Sequence, residues 1–207
     1  MDSILKIDGP VYRLLSRIVE LILLNILFIL CCLPVITIGA SITALFSITL
    51  KMVKGEEGGI INGFWKAFKK NFKQSTLVWG ILSLFGIILA LNYFFLQFYT
   101  GKLSFLILMG LVTFSLFFCV YLVLLFPYIA RYNCTIKEAC INVIKISIAN
   151  MYFILLIIIL ILGPGVLMLF SPLWLVIKLY MDIFIGFSFI AYASSFMIRR
   201  IFEKYET

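Results

Sequence analysis

Apolar residues fill this chain in long blocks, and the short stretches between the blocks carry most of its charge. The apolar runs fall at about 18–33, 36–50, 75–98, 103–126, 151–170 and 173–198. Most approach or exceed the roughly 20 residues with which a helix crosses about 30 Å of hydrocarbon. The pattern predicts an all-α, polytopic helical membrane protein: about six transmembrane helices in a single integral membrane domain over 1–207.

From Ile18 to Leu50 the chain is almost uncharged. As one helix it would be about 50 Å long, too long for a single upright span. Arg13 and Arg17 precede this run, and Lys51 and Lys54 follow it. Basic flanks favour the cytoplasmic side, so the run is expected to turn back on itself as a hairpin. Pro34 is the turning point, because it lacks an N–H and disfavours helical geometry at Leu33. Thr37 is placed to cap the second arm. Along that arm Gly39, Thr43 and Ser47 recur every fourth residue, with Ala40 and Ala44 beside them. Small residues at this spacing form a face on which another helix packs closely; a ligand-lining role is the alternative. Asn25, on the first arm, is positioned to hydrogen-bond across that contact.

The polar stretches have a pattern of their own. Within 51–74, Ile60, Ile61, Phe64, Trp65, Phe68 and Phe72 recur at helical spacing against Lys66, Lys69, Lys70 and Lys73. Within 131–150, Lys137, Glu138 and Lys145 alternate with Ile136, Cys140, Ile141, Ile144 and Ile148. Both read as amphipathic helices on the inner headgroup layer, the second opening with a Thr135/Glu138 capping box. Residues 1–17 read as a third interfacial segment, or as a solvated tail. Lys66, Lys69, Lys70 and Lys73 are candidate contacts to anionic lipid or to a protein partner. With Lys102 the sole basic residue in an external connection, both termini are expected in the cytoplasm. A basic segment, an outgoing helix and a returning helix then recur three times, from near residues 4, 60 and 135. Gly163-Pro164-Gly165 is expected to kink or end the fifth helix.

Composition narrows the function. Hydrophobic residues make up 64% of the chain and charged residues 13%, with mean hydropathy +1.20, a balance that no water-soluble fold can cover. The net charge of +8 lies between apolar runs instead of on one soluble face, so it reads as topology signal and headgroup contact, not nucleic-acid binding. The first apolar run lacks a small-residue cleavage pattern and is expected to be retained. Histidine is absent, and with it the commonest proton shuttle and metal ligand. Cys31, Cys32, Cys119, Cys134 and Cys140 form no CxxC pair and read as small apolar filler. No catalytic, cofactor or metal site is expected. The one charged pair inside an apolar run is Lys178 and Asp182, which share a helix face at i, i+4. Such a carboxylate either binds a cation or proton on a translocation path, or is neutralised by its lysine as structural glue.

Asn25-Ile26-Leu27-Phe28, Leu33-Pro34-Val35-Ile36-Thr37-Ile38-Gly39, Ala44-Leu45, Lys54-Gly55-Glu56 and Phe64-Trp65-Lys66-Ala67-Phe68-Lys69-Lys70-Asn71-Phe72-Lys73-Gln74 together resemble the YesL-like family of bacterial integral membrane proteins. Ala40 stands where family members often carry proline. The resemblance is detailed over the first half of the chain and looser beyond. It implies a multi-pass protein of a Gram-positive cytoplasmic (plasma) membrane, often encoded beside carbohydrate-uptake genes, with no established biochemical activity. The expected function is therefore an accessory in carbohydrate uptake, with membrane lipids and carbohydrate transporter subunits as partners. A small transporter or channel built on Lys178 and Asp182 is the alternative. A lipid-modifying enzyme lacks a visible catalytic set.

Overall fold

The computed structural model describes residues 10–205 except 57, 100, 102 and 168–171. The expectations for residues 1–9, for Lys102 in its external turn and for the end of the fifth span lie outside the described residues. The described residues are helical apart from short connections. The elements are α1 (Pro10–Cys32), a 3-10 turn (Val35–Thr37), α2 (Ile38–Lys54), α3 (Ile60–Leu96), α4 (Ser104–Arg131), α5 (Ile136–Ala149), α6 (Met151–Leu167), α7 (Pro172–Met181), a π-turn (Asp182–Gly186) and α8 (Phe187–Glu203). Five of these stretches are long and apolar enough to cross a bilayer, and there are six if the bent pair α5 and α6 is counted as one span. This is an all-α, polytopic membrane protein.

Side-chain pairs across the bundle fix the helix directions. Between α2 and α3, Thr43 meets Ser75 and a Cβ at Gly39 would meet Trp79, so the two run antiparallel. Between α3 and α4, Tyr93 meets Ser115 and Trp79 meets Phe126, and Gln74 meets Cys134 just past the end of α4, again antiparallel. Thr49 meets Ser195 and Val53 meets Arg199, so α8 runs parallel to α2. Asn25 meets Asp182 and Leu21 meets Ser188, so α1 opposes the last span. The crossings alternate in direction, and Pro10 and Tyr205 lie at the same, basic end of the bundle.

The chain is organised about α2. Over an 18-residue window of the apolar stretch Val35–Lys54, which is α2 with the 3-10 turn before it, 61% of residues are buried, against 28% for α1 and 6% for α4. Lipid-facing helices need only apolar surface, whereas a helix surrounded by others needs small residues that let backbones approach. Ala40, Ala44, Ser41 and Thr43 on α2 are all fully buried. The hairpin turn at Pro34 is present, with one change of role. The Thr37 hydroxyl makes no side-chain cap to α2; it lies 2.6 Å from the Cys31 carbonyl oxygen and 2.7 Å from that of Pro34, and so serves the open end of α1.

Two expectations change. Residues 10–17 are not a separate interfacial segment: Pro10 starts α1 itself, a position that suits a residue without an N–H. Residues 60–74 do not lie flat on a headgroup layer before a span at 75. They are the first turns of a 37-residue helix, about 55 Å long. Phe64, Ala67, Asn71, Ser75, Val78 and Leu82 are buried at steps of three and four, so one packing face passes unbroken through residue 74. The helix that carries the fourth span continues past Phe126, through Pro127 to Arg131. Of the two outcomes expected at Gly163-Pro164-Gly165, a kink or an end, the helix does not end there: α6 runs on to Leu167, with Pro164 removing one bond of the ladder.

The second amphipathic stretch does leave the line of its span: α5 and α6 meet at 101° across Asn150. The Thr135/Glu138 capping box is formed, with Glu138 N–H donating to the Thr135 hydroxyl at 3.4 Å and Thr135 N–H to the carboxylate at 3.0 Å. The threefold repeat thus survives as alternating helix direction only. The second basic segment is collinear with its span, and the third is bent away.

Candidate functional site

The charge pair of the last apolar stretch bridges α7 and the irregular turn that follows it. Lys178 donates from Nζ to the Asp182 carboxylate, and both side chains are partly sheltered, at 22% and 19% exposure. Asp182 is also the first residue of the π-turn, where the helix widens to admit one extra residue. Gly186 gives the carboxylate its place: a Cβ there would collide with Asp182 Oδ1 and stand 3.1 Å from the Met181 carbonyl oxygen.

The partner of this turn comes from α1. Asn25 is fully buried, and its Nδ2 donates to the carbonyl oxygens of Asp182 and Ile183, both at 2.9 Å. Its Oδ1 accepts from the Ser188 N–H at 3.1 Å. The amide can take only this orientation, since an N–H cannot donate to an NH2 group. Ser188 completes the joint, with its Oγ 2.8 Å from the Leu21 carbonyl oxygen and 2.9 Å from that of Ile185. Sequence reasoning placed Asn25 in the α1/α2 contact. The structure instead gives it to the backbone of the last span, 157 residues away. Only an unpaired asparagine amid leucines on α1 hinted at such a role.

The small-residue face lies against α3. Gly39 is where the helices touch: a Cβ would fall 2.6 Å from that of Trp79. Thr43 donates to the Gly39 carbonyl oxygen at 2.9 Å, which leaves Ser75 as donor in the 2.8 Å bond between the Thr43 and Ser75 hydroxyls. Ala40 and Ala44 are fully buried. Ser47 is half-buried and instead borders a pocket of about 150 Å³ at the basic end, with Lys51, Lys54, Glu56 and Arg131.

Lys66, Lys69, Lys70 and Lys73 are exposed on the side of α3 away from its buried stripe. Trp65 and Phe72 are exposed beside them, and the rings of Phe64, Phe68 and Phe72 follow one another along the helix with centroids 6.2 and 5.4 Å apart. No described carboxylate pairs with these lysines, and the sequence has no Asp or Glu between Glu57 and Glu138. The two grooves beside α4 are apolar: one of about 280 Å³ against α3 and α5, and one of about 330 Å³ against α5 and α6. Among the described residues no cluster of three metal-ligating side chains occurs, and the five cysteines are free thiols.

These features can be set beside known proteins. Residues 21–93 match a family described as "Protein of unknown function, DUF624". The DUF624 match covers roughly a third of the chain, from α1 at Leu21 through the hairpin and α2 to Tyr93 near the end of α3. It includes Asn25, the small-residue face and the lysine face. The Lys178/Asp182 pair and the π-turn that Asn25 holds lie beyond it. No curated protein and no solved structure matches the chain.

Proposed function

We propose that this protein is a non-enzymatic accessory of carbohydrate uptake in a bacterial cytoplasmic membrane, holding a transporter subunit against its basic end. The carbohydrate link and the YesL-like assignment rest on the resemblance over the first half of the chain, most of which falls in the DUF624 match. The observation that carries the reading is the face of α3: four exposed lysines without described counter-ions, edged by exposed Trp65 and Phe72, on a helix anchored by its opposite side. A basic patch attracts acidic protein segments or anionic headgroups, and the aromatics beside it add apolar contact area. By the positive-inside rule this end faces the cytoplasm, with both termini. Co-purification in mild detergent tests it. A sugar-permease subunit is expected with the native protein and not with a variant carrying Gln at 66, 69, 70 and 73; equal recovery with both would overturn the role of this face.

A second reading is a small transporter working through Lys178 and Asp182. The π-turn favours it, since such turns and intramembrane charges often mark working sites. Solute flux by the purified protein in vesicles, lost in Asp182→Asn at equal reconstitution, is the expected result; unchanged flux would remove Asp182 from the path.

A further inference from the structure

The joint between α7 and α8 is buried on one side and exposed on the other. Below it, Ser188, Ala191, Ser194, Ser195, Ile198 and Ile201 of α8 are buried, and Ser195 and Arg199 bond to α2. Above it, every residue of α7 from Leu173 to Met181 is exposed except Lys178, which is partly so. Between them lies a turn with one residue more than an α-helix needs. Removing that extra residue from the turn's geometry would rotate α7 against α8 by about 100° and shift it by about 1.5 Å.

What holds the wide turn is Asn25. All three of its hydrogen bonds go to backbone atoms, at Asp182, Ile183 and Ser188, and none to a side chain. It therefore recognises the shape of the turn and not the residues in it. In a regular α-helix those carbonyls and that N–H would pair within the last span. Asn25, with no exposure, would be left with its polar atoms unmatched among apolar neighbours.

We propose that the last span is a jointed helix with two registers, in which Asn25 is the latch for the π-register and its release lets α7 turn, carrying Lys178 and Asp182 with it. The energy source for release is any contact that satisfies or displaces the Asn25 amide. The proposal is independent of the functional readings above, because it concerns only the α1/last-span contact.

Spin labels on Leu30→Cys in α1 and Ile177→Cys in α7, two exposed sites, report the register as a distance distribution in the full-length protein with its five native cysteines replaced. The native protein is expected to give one main distance. Asn25→Leu, similar in size but without the amide, is expected to raise the population of a second distance at least about fivefold from a minor level. Deleting Phe184, one residue of the turn, is expected to give one distance that Asn25→Leu no longer changes. A folded Asn25→Leu protein with the native distribution would overturn the proposal. If Asn25→Leu alone fails to fold, recovery of the folded protein when Phe184 is also deleted supports the latch, and failure to recover overturns it.

Discussion

At Gly39 the missing side chain is what allows α2 and α3 to touch. The nearest atoms a Cβ would meet are the Ser75 carbonyl oxygen and Trp79 Cβ, both on the backbone or rigid stem of α3, so the helices themselves would have to separate. Gly39→Ala is therefore expected to destabilise by about 1–3 kcal/mol in denaturant titration of the detergent-solubilised protein. A loss below the error of that titration would mean that α2 and α3 are less closely apposed. One turn along, the Ser75 hydroxyl donates to Thr43. Hydrogen bonds between helices in lipid contribute modestly, because the separated helices also find partners. A double-mutant cycle of Thr43→Val and Ser75→Ala is expected to give a coupling of about 0.6 kcal/mol, with about 1.7 kcal/mol as its upper range. The Gly39, Ala40, Thr43, Ala44 and Ser47 spacing was legible as a face. Its partner was not, because small residues accept any close helix, and the choice of α3 depends on where Ser75 and Trp79 arrive.

Single elements show which boundaries physics marks and which it leaves open. Around residue 74 the chain holds Lys73, Gln74 and Ser75, all compatible with helix, so nothing stops the ladder and α3 runs through. The change from basic to apolar surface there marks an environment, not an end. Gln74→Pro discriminates the two descriptions: in a continuous helix it removes a ladder bond and is expected to cost about 3 kcal/mol or more, whereas a boundary between two helices would absorb it. The loss of the 2.9 Å bond from Gln74 to the Cys134 carbonyl oxygen adds to that cost, and Gln74→Ala measures this part separately. At Asn150 the opposite holds. The backbone there leaves helical geometry, at φ −130° and ψ 37°, while its side chain returns to the Ile146 carbonyl oxygen at 3.0 Å and also meets the Tyr205 hydroxyl at 2.8 Å. The corner between α5 and α6 is therefore fastened to the end of the chain, and a local pattern cannot announce that.

Across the whole molecule, the alternating directions make a definite prediction for accessibility. In a background without native cysteines, single cysteines at Arg13, Lys51, Lys137 and Glu203 are expected to react with an impermeant thiol reagent from one side of the membrane, and those at Val35 and Leu103 from the other. Labelling of position 13 and position 203 from opposite sides would break the six-crossing arrangement. The parallel contact of α2 and α8 has its own check: Thr49→Cys with Ser195→Cys is expected to form a disulfide in membranes, because the two hydroxyl oxygens are 2.8 Å apart.

Hydropathy and the placement of lysine and arginine were enough to determine an all-α membrane protein, the hairpin at Pro34 and the common side of its basic ends. These properties follow from each segment's own exchange between water and lipid, so they are written locally. The Lys178/Asp182 pair was legible for the same reason, as two positions one helical turn apart. Tertiary structure alone decided that α2 is the centre, that α3 is one helix, and that the last span widens at Asp182 to be held by Asn25. That turn's partner recognises backbone atoms, which every residue carries alike, from a helix at the other end of the sequence. A pattern of side chains has no letter for such a contact, and only the folded bundle brings its two halves together.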